Sequence, residues 1–159
     1  MAINLALAHH WSWAVAIAGI PFGLSTASIN MGKHIDKSGE DRAKGTHTLP
    51  VLIGETAARI TTMAAIVLAC GVTLYAVLIP RLLTPAMLVV LAAAPQAWKA
   101  LSRLSAPRPT EPPAGYPIWP RWTSTVCFVH NRRFGNLFIL GVAADTALRL
   151  LLPAFWQAQ

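Results

Sequence analysis

Four apolar runs alternate with polar stretches along the chain, at residues 11–30, 60–79, 82–98 and 134–152. Crossing a hydrocarbon core of about 30 Å takes roughly 17–25 helical residues, and each run meets that length. A helix satisfies its own backbone hydrogen bonds, which lipid will not do, so the pattern predicts an all-α integral membrane bundle of about four transmembrane helices. The breaks are legible. Pro80-Arg81 predicts a tight turn, with Thr84-Pro85 as an alternative cap and first-turn proline of the third helix. Pro21 and Pro95 fall inside runs and predict kinks. The proline-rich stretch 105–120 is a loop, and "WTSTVCFVH" at 122–130 predicts a short interfacial helix.

Composition agrees with a membrane chain. Of 159 residues, 55% are apolar and 12% charged, against about 25% charged in a soluble domain. The whole chain, 1–159, is expected to form a single membrane domain. The net charge of +7 is explained by topology. With loops 33–59 and 99–133 on the cytoplasmic side, eleven of the thirteen basic residues lie inside and only Arg81 lies in an outer loop. The motif loop is therefore expected to face the cytoplasm, in a bacterial cell membrane. No basic patch interleaves with aromatics on a soluble module, so nucleic acid is not an expected partner. The N-terminus has no basic n-region and is not read as a signal peptide. It falls outside in this topology, which predicts an upstream segment or an N-terminal partner fragment. Cys70 and Cys127 belong to no CxxC pair and are expected to be free packing thiols.

Against this background "KHIDKSGEDRAKGTHTLP", residues 33–50, stands out. It holds three of the six carboxylates, Asp36, Glu40 and Asp41. In a continuous helix Asp36 and Glu40 share a face, as do Lys37 and Asp41. Clustered carboxylates at a membrane edge suit Mg²⁺, which takes one or two carboxylates plus substrate phosphates. Neighbouring lysines and arginines suit diphosphate oxygens. On spacing alone, a solvated loop laced with ion pairs explains the stretch as well.

The run from Asp36 through "DRAKGTHTLPV", 41–51, resembles the second aspartate-rich motif of UbiA-type intramembrane prenyltransferases. That resemblance implies the C-terminal portion of a UbiA-like fold. In that family, aspartate-rich motifs on the cytoplasmic side hold Mg²⁺ and the diphosphate of an isoprenoid donor, and a prenyl group passes to an acceptor, often aromatic. Carried over, Asp36 and Asp41 are the catalytic candidates and Asp36, Glu40 and Asp41 the Mg²⁺ ligands. Lys37, Lys44, Arg132 and Arg133 are candidates for holding prenyl diphosphate. Two departures are visible. The aspartates stand five apart, which places Lys37 where the family has its first aspartate. The family's other motif, NDxxDxxxD, is absent, since no aspartate precedes Asp36.

Other residues are less specific. "VHNRRFG", 129–135, reads either as a phosphate clamp or as a positive-inside anchor. Asp145 is a carboxylate within a span, and Arg149 four residues on offers an intrahelical partner. His9 and His10 lack further ligands at a recognised spacing. Trp11, Trp13 and Trp156 fit an interfacial belt, and Asn30 suits either a cavity wall or a helix end. Two alternatives to an enzyme remain at this point. One is a non-catalytic remnant or partner subunit lacking the first motif. The other is a small transporter, which calls for more midplane polar residues than the runs contain.

Overall fold

The computed structural model describes His9 and residues 12–152. Trp11, His10 and Trp156, and with them the leader question, lie outside the described residues. The described part is helical: α1 Trp13–Asp36, α2 Ser38–Ala43, α3 Leu49–Ile53, α4 Glu55–Leu78, a 3₁₀ segment Pro85–Ala93 leading directly into α5 Ala94–Leu104, and α6 Thr123–Leu151. Three helices, α1, α4 and α6, are long and apolar enough to cross a membrane. The chain is a helical membrane bundle, as the apolar runs predict, with three of the expected four runs forming single helices of spanning length.

The third run takes a different form from the others. Thr84 precedes the 3₁₀ segment with Pro85 at its start, as the sequence suggested, and regular α-helix begins only at Ala94. Pro95 explains the division. It has no N–H to give the Leu91 carbonyl, and its ring crowds that carbonyl, which favours its place in the first turn of α5; Pro21, by contrast, sits inside the continuous α1. At about 2.0 Å per 3₁₀ residue and 1.5 Å per α residue, the tandem still covers roughly 34 Å of rise.

The expected interfacial helix at 122–130 is not a separate element. Thr123–His130 form the opening turns of α6. No proline interrupts residues 123–152, so nothing in the backbone stops the helix there. Its first amides are capped from another helix, as described below.

Helix α1 packs against both α4 and α6, and the 3₁₀ segment packs against α6. The main apolar core joins Ala69, Ala76 and Val77 of α4, Met87 and Val90 of the 3₁₀ segment, and Phe134 and Phe138 of α6. A second cluster joins Ile66, Ala100, Leu104 and Cys127. Small residues let the helices close in, which is how spanning helices gain dispersion contacts without a hydrophobic drive from lipid. At Gly32 the neighbour is backbone. A Cβ there would come within 3.0 Å of the Ser124 Cα and 3.3 Å of the Cys127 Sγ. Cys70 and Cys127 are both free thiols.

Side-chain bonds fasten the two ends of the bundle. At one end Arg59 of α4 donates to the Leu104 carbonyl at the end of α5 (2.9 Å), and Arg108 donates to the Asp36 carbonyl (2.9 Å). At the other end Asp145 pairs with Arg149 (2.9 Å) and accepts the Thr84 backbone N–H, while Arg149 also donates to the Leu82 carbonyl (2.7 Å). The intrahelical pair expected from spacing is present, and it also clamps the 82–84 turn.

Candidate functional site

The site is built where α1 stops. Helix α1 ends at Asp36 and α2 starts at Ser38, so Asp36 and Glu40 stand on different helices. The shared face expected from i, i+4 spacing does not form. Helix α2 is short, and Gly45, at φ +67°, takes the left-handed conformation that turns the chain out of it. The backbone then folds back: the Thr46 N–H donates to the Asp41 carbonyl at 2.8 Å. This return brings Thr48 beside the Asp41 side chain.

Asp36 faces α6. Its Oδ1 accepts the Thr123 N–H (2.8 Å), and its Oδ2 accepts both the Ser124 N–H (2.9 Å) and the Ser124 hydroxyl (2.6 Å). The first amides of a helix have no intrahelical acceptor, and the helix dipole favours a negative charge there. Trp122, at the N-cap of α6, supplies no side-chain bond. Asp36 replaces that missing cap from a different helix.

Asp41 is placed differently. Its Oδ2 accepts from the Thr48 hydroxyl (3.1 Å) and lies 3.3 Å from His34 Nδ1. Its side chain is only 16% exposed. Its Oδ1 has no hydrogen-bond partner among the described residues. The carboxylate is thus held by one oxygen with the other left over. Glu40 is exposed and lies 4.0 Å from the Lys44 Nζ, a surface pair that contributes little. Lys37 and Lys44 are exposed on either side of α2.

Arg132 and Arg133 are also exposed. They begin nine residues into α6, roughly 14 Å of helix rise from the end that Asp36 caps. The structure brings Asp36, Asp41, Lys37 and Lys44 to one end of the bundle and sets Arg132 and Arg133 apart along α6.

Among the described residues no three His, Cys, Asp or Glu side chains gather in a metal-holding group. Mg²⁺ does not require such a cage, since one or two carboxylates with phosphate oxygens and waters suffice. By that criterion Asp41 fits, with Oδ1 available and Oδ2 oriented. Asp36 fits poorly, because three donors already occupy its oxygens. Glu40 is a flexible surface carboxylate with nothing to orient it except Lys44.

Sequence reasoning missed three participants. His34 and Thr48, each seven residues from Asp41, supply its orientation, and Ser124 receives Asp36. His34 lies seven residues before Asp41, on the preceding helix, a spacing that carries only a weak signal. Ser124 carries none, because its partner is 88 residues away in the chain.

Membrane-length helices with an oriented carboxylate and lysines gathered at one end define an integral membrane protein with a polar site at its edge. The chain belongs to the UbiA prenyltransferase family, which matches residues 1–124. The match takes in the whole 33–50 stretch and ends at the first turn of α6, short of Arg132 and Arg133. No curated protein and no solved structure matches the chain.

Proposed function

We propose that this chain takes part in prenyl transfer by holding the diphosphate of an isoprenoid donor, with Mg²⁺, at the Asp41 end of the bundle. The observation that carries the proposal is the Asp41 carboxylate: largely buried, oriented by His34 and Thr48, and unengaged at Oδ1. Asp41 is the principal ligand for Mg²⁺, with Glu40 able to swing in beside it. Lys37 and Lys44 supply charge-assisted bonds to phosphate oxygens. When bound, Mg²⁺ neutralises charge on the departing diphosphate. The C–O bond of the donor breaks with its electron pair leaving on diphosphate, a bond forms to an acceptor carbon, and the acceptor loses a proton. An aromatic acceptor suits that sequence. In a bacterial cell membrane the motif end faces the cytoplasm, where the basic loops accumulate.

Asp36 acts here as a positioning residue. By capping α6 it fixes the helix against which α1, and therefore the start of the motif, is packed. The chain carries one of the family's two aspartate-rich motifs, so binding of the donor is expected to be easier to detect than turnover. A partner fragment supplying NDxxDxxxD would restore full activity.

The test is equilibrium binding of farnesyl diphosphate to the purified chain in detergent, with Mg²⁺ and with EDTA. Mg²⁺-dependent binding, weakened about tenfold or more by Asp41→Ala, is the expected result, since a charge-assisted contact is worth roughly 1.5–3 kcal/mol. Binding that is indifferent to both Mg²⁺ and Asp41→Ala would remove the proposal. An assay with a panel of aromatic acceptors, with and without a fragment carrying the first motif, separates a catalytic chain from a non-catalytic subunit.

A further inference from the structure

A second polar feature lies apart from Asp41, on the flank where α5 meets the first turns of α6. It is an open groove of about 670 Å³. Lys99 and Arg103 stand on one side of it, one helical turn apart on α5, with Trp98 beside them. Trp122, Val126 and Val129 of α6 form the other side. Among the described residues no carboxylate lines it.

Arg103 is preorganised. Its guanidinium lies 4.1 Å from the Trp122 ring centre and 5.9 Å from that of Tyr116. Stacking holds the face of the guanidinium and leaves its N–H edge open, and those N–H groups have no hydrogen-bond partner among the described residues. A guanidinium held this way presents the donor fork that matches a phosphate group. Lys99 is exposed and makes no ion pair among the described residues, so it adds a second positive charge one turn away. Apart from Gln96 and Ser102 the remaining lining is apolar: Val129 is 44% exposed and Trp98 is 72% exposed.

We infer that this groove binds an anionic phospholipid of the surrounding membrane, with the phosphate on Arg103 and Lys99 and the glycerol and first acyl carbons against Trp98, Val126 and Val129. Depth supports a membrane lipid as the occupant. Exposed Arg132 and Arg133 mark the polar limit of the apolar part of α6. Val129, Val126 and Trp122 lie progressively beyond them, over roughly 5–16 Å of rise, in the layer where headgroups and interfacial tryptophans reside. The lack of any carboxylate argues against a Mg²⁺-diphosphate occupant and for a phosphate met directly by protein cations. The groove is thus distinct in chemistry and in place from the Asp41 site.

Native mass spectrometry of the detergent-released chain tests the inference, with added phosphatidylglycerol, phosphatidylcholine, or farnesyl diphosphate plus Mg²⁺. Phosphatidylglycerol is expected to be retained over phosphatidylcholine. Each of Lys99→Glu and Arg103→Glu should weaken that retention about fivefold or more, following the usual worth of one basic residue at an anionic surface. The Lys33→Glu/Arg42→Glu variant changes net charge at the same end of the bundle and should leave retention intact. Arg103→Glu also removes the stacking on Trp122, so Lys99→Glu is the variant that must respond even if Arg103→Glu misfolds. Equal loss in the Lys33/Arg42 control, or no loss in Lys99→Glu, overturns the assignment. Displacement of phosphatidylglycerol by farnesyl diphosphate also overturns it, by giving the groove to the prenyl donor. Lys99→Glu should leave Asp41-dependent farnesyl diphosphate binding unchanged, so the two sites can fail separately.

Discussion

Two aspartates that look alike in the sequence do different work. Asp36 spends both oxygens on the first amides of α6 and the Ser124 hydroxyl, whereas Asp41 keeps one oxygen unengaged. Substitution should separate these roles. Asp36→Ala leaves two helix N–H groups without an acceptor and removes a charge from the helix N-terminus, a loss of about 1–3 kcal/mol. It should lower the thermal midpoint in detergent clearly, and Asp36→Asn should recover only part of it, because the amide nitrogen meets donors where the carboxylate met them. Asp41→Ala breaks only the contacts to His34 and Thr48 near the surface. Its midpoint should fall by less than that of Asp36→Ala, while Mg²⁺-dependent diphosphate binding weakens about tenfold or more. Circular-dichroism melts of the two variants beside the binding assay decide this, and a larger stability loss for Asp41→Ala would reverse the assignment. The sequence marks both aspartates as candidates because the motif is local. It does not reveal that Asp36 is a cap, since the capped amides lie far along the chain.

At the scale of elements, α1 and α6 are in close backbone contact at Gly32. A methyl group there meets backbone atoms of Ser124, which cannot swing aside as a side chain would. Gly32→Ala should therefore push the helices apart and cost about 1–3 kcal/mol through overpacking, with Gly32→Val worse. Gly141 offers a contrast. A Cβ there would come within 2.8 Å of the Met87 Sδ and 3.3 Å of the Val89 Cγ1, side-chain atoms that can shift where the Ser124 backbone cannot, so Gly141→Ala should be milder. Melting both variants side by side checks the ranking, and equal losses would contradict it. Elements were the most legible level of this chain. Run length and hydropathy predict α1, α4 and the apolar part of α6 because spanning helices are specified by composition over many residues. The third run and the start of α6 were harder. The 3₁₀ stretch before Pro95 depends on where one proline breaks the hydrogen-bond ladder, and the opening turns of α6 are too polar at Thr123, Ser124, Thr125, His130 and Asn131 to resemble a membrane helix.

For the molecule as a whole, the fastenings at the two ends bear on how it sits in a bilayer. Asp36, Arg59 and Arg108 tie the 33–59 stretch to the 99–133 stretch at one end. Asp145 and Arg149 tie α6 to the 82–84 turn at the other. A chain bonded in this way cannot place the motif loop and the proline-rich loop on opposite sides of a membrane without breaking buried or half-buried polar contacts. Single cysteines at exposed Lys44 and Glu111, in a background with Cys70 and Cys127 replaced by alanine, should both react with an impermeant maleimide added from the same side. A cysteine at exposed Arg81 should react only from the other. On the proposed orientation, with the basic loops facing the cytoplasm of a bacterial cell, the Lys44 and Glu111 positions should be labelled in inverted membrane vesicles, and the Arg81 position in intact spheroplasts. Labelling of Lys44 and Glu111 from opposite faces would show that the bonds joining these loops do not form in the membrane. The Asp36 cap of α6 would then fall with them, and so would the packing that positions Asp41.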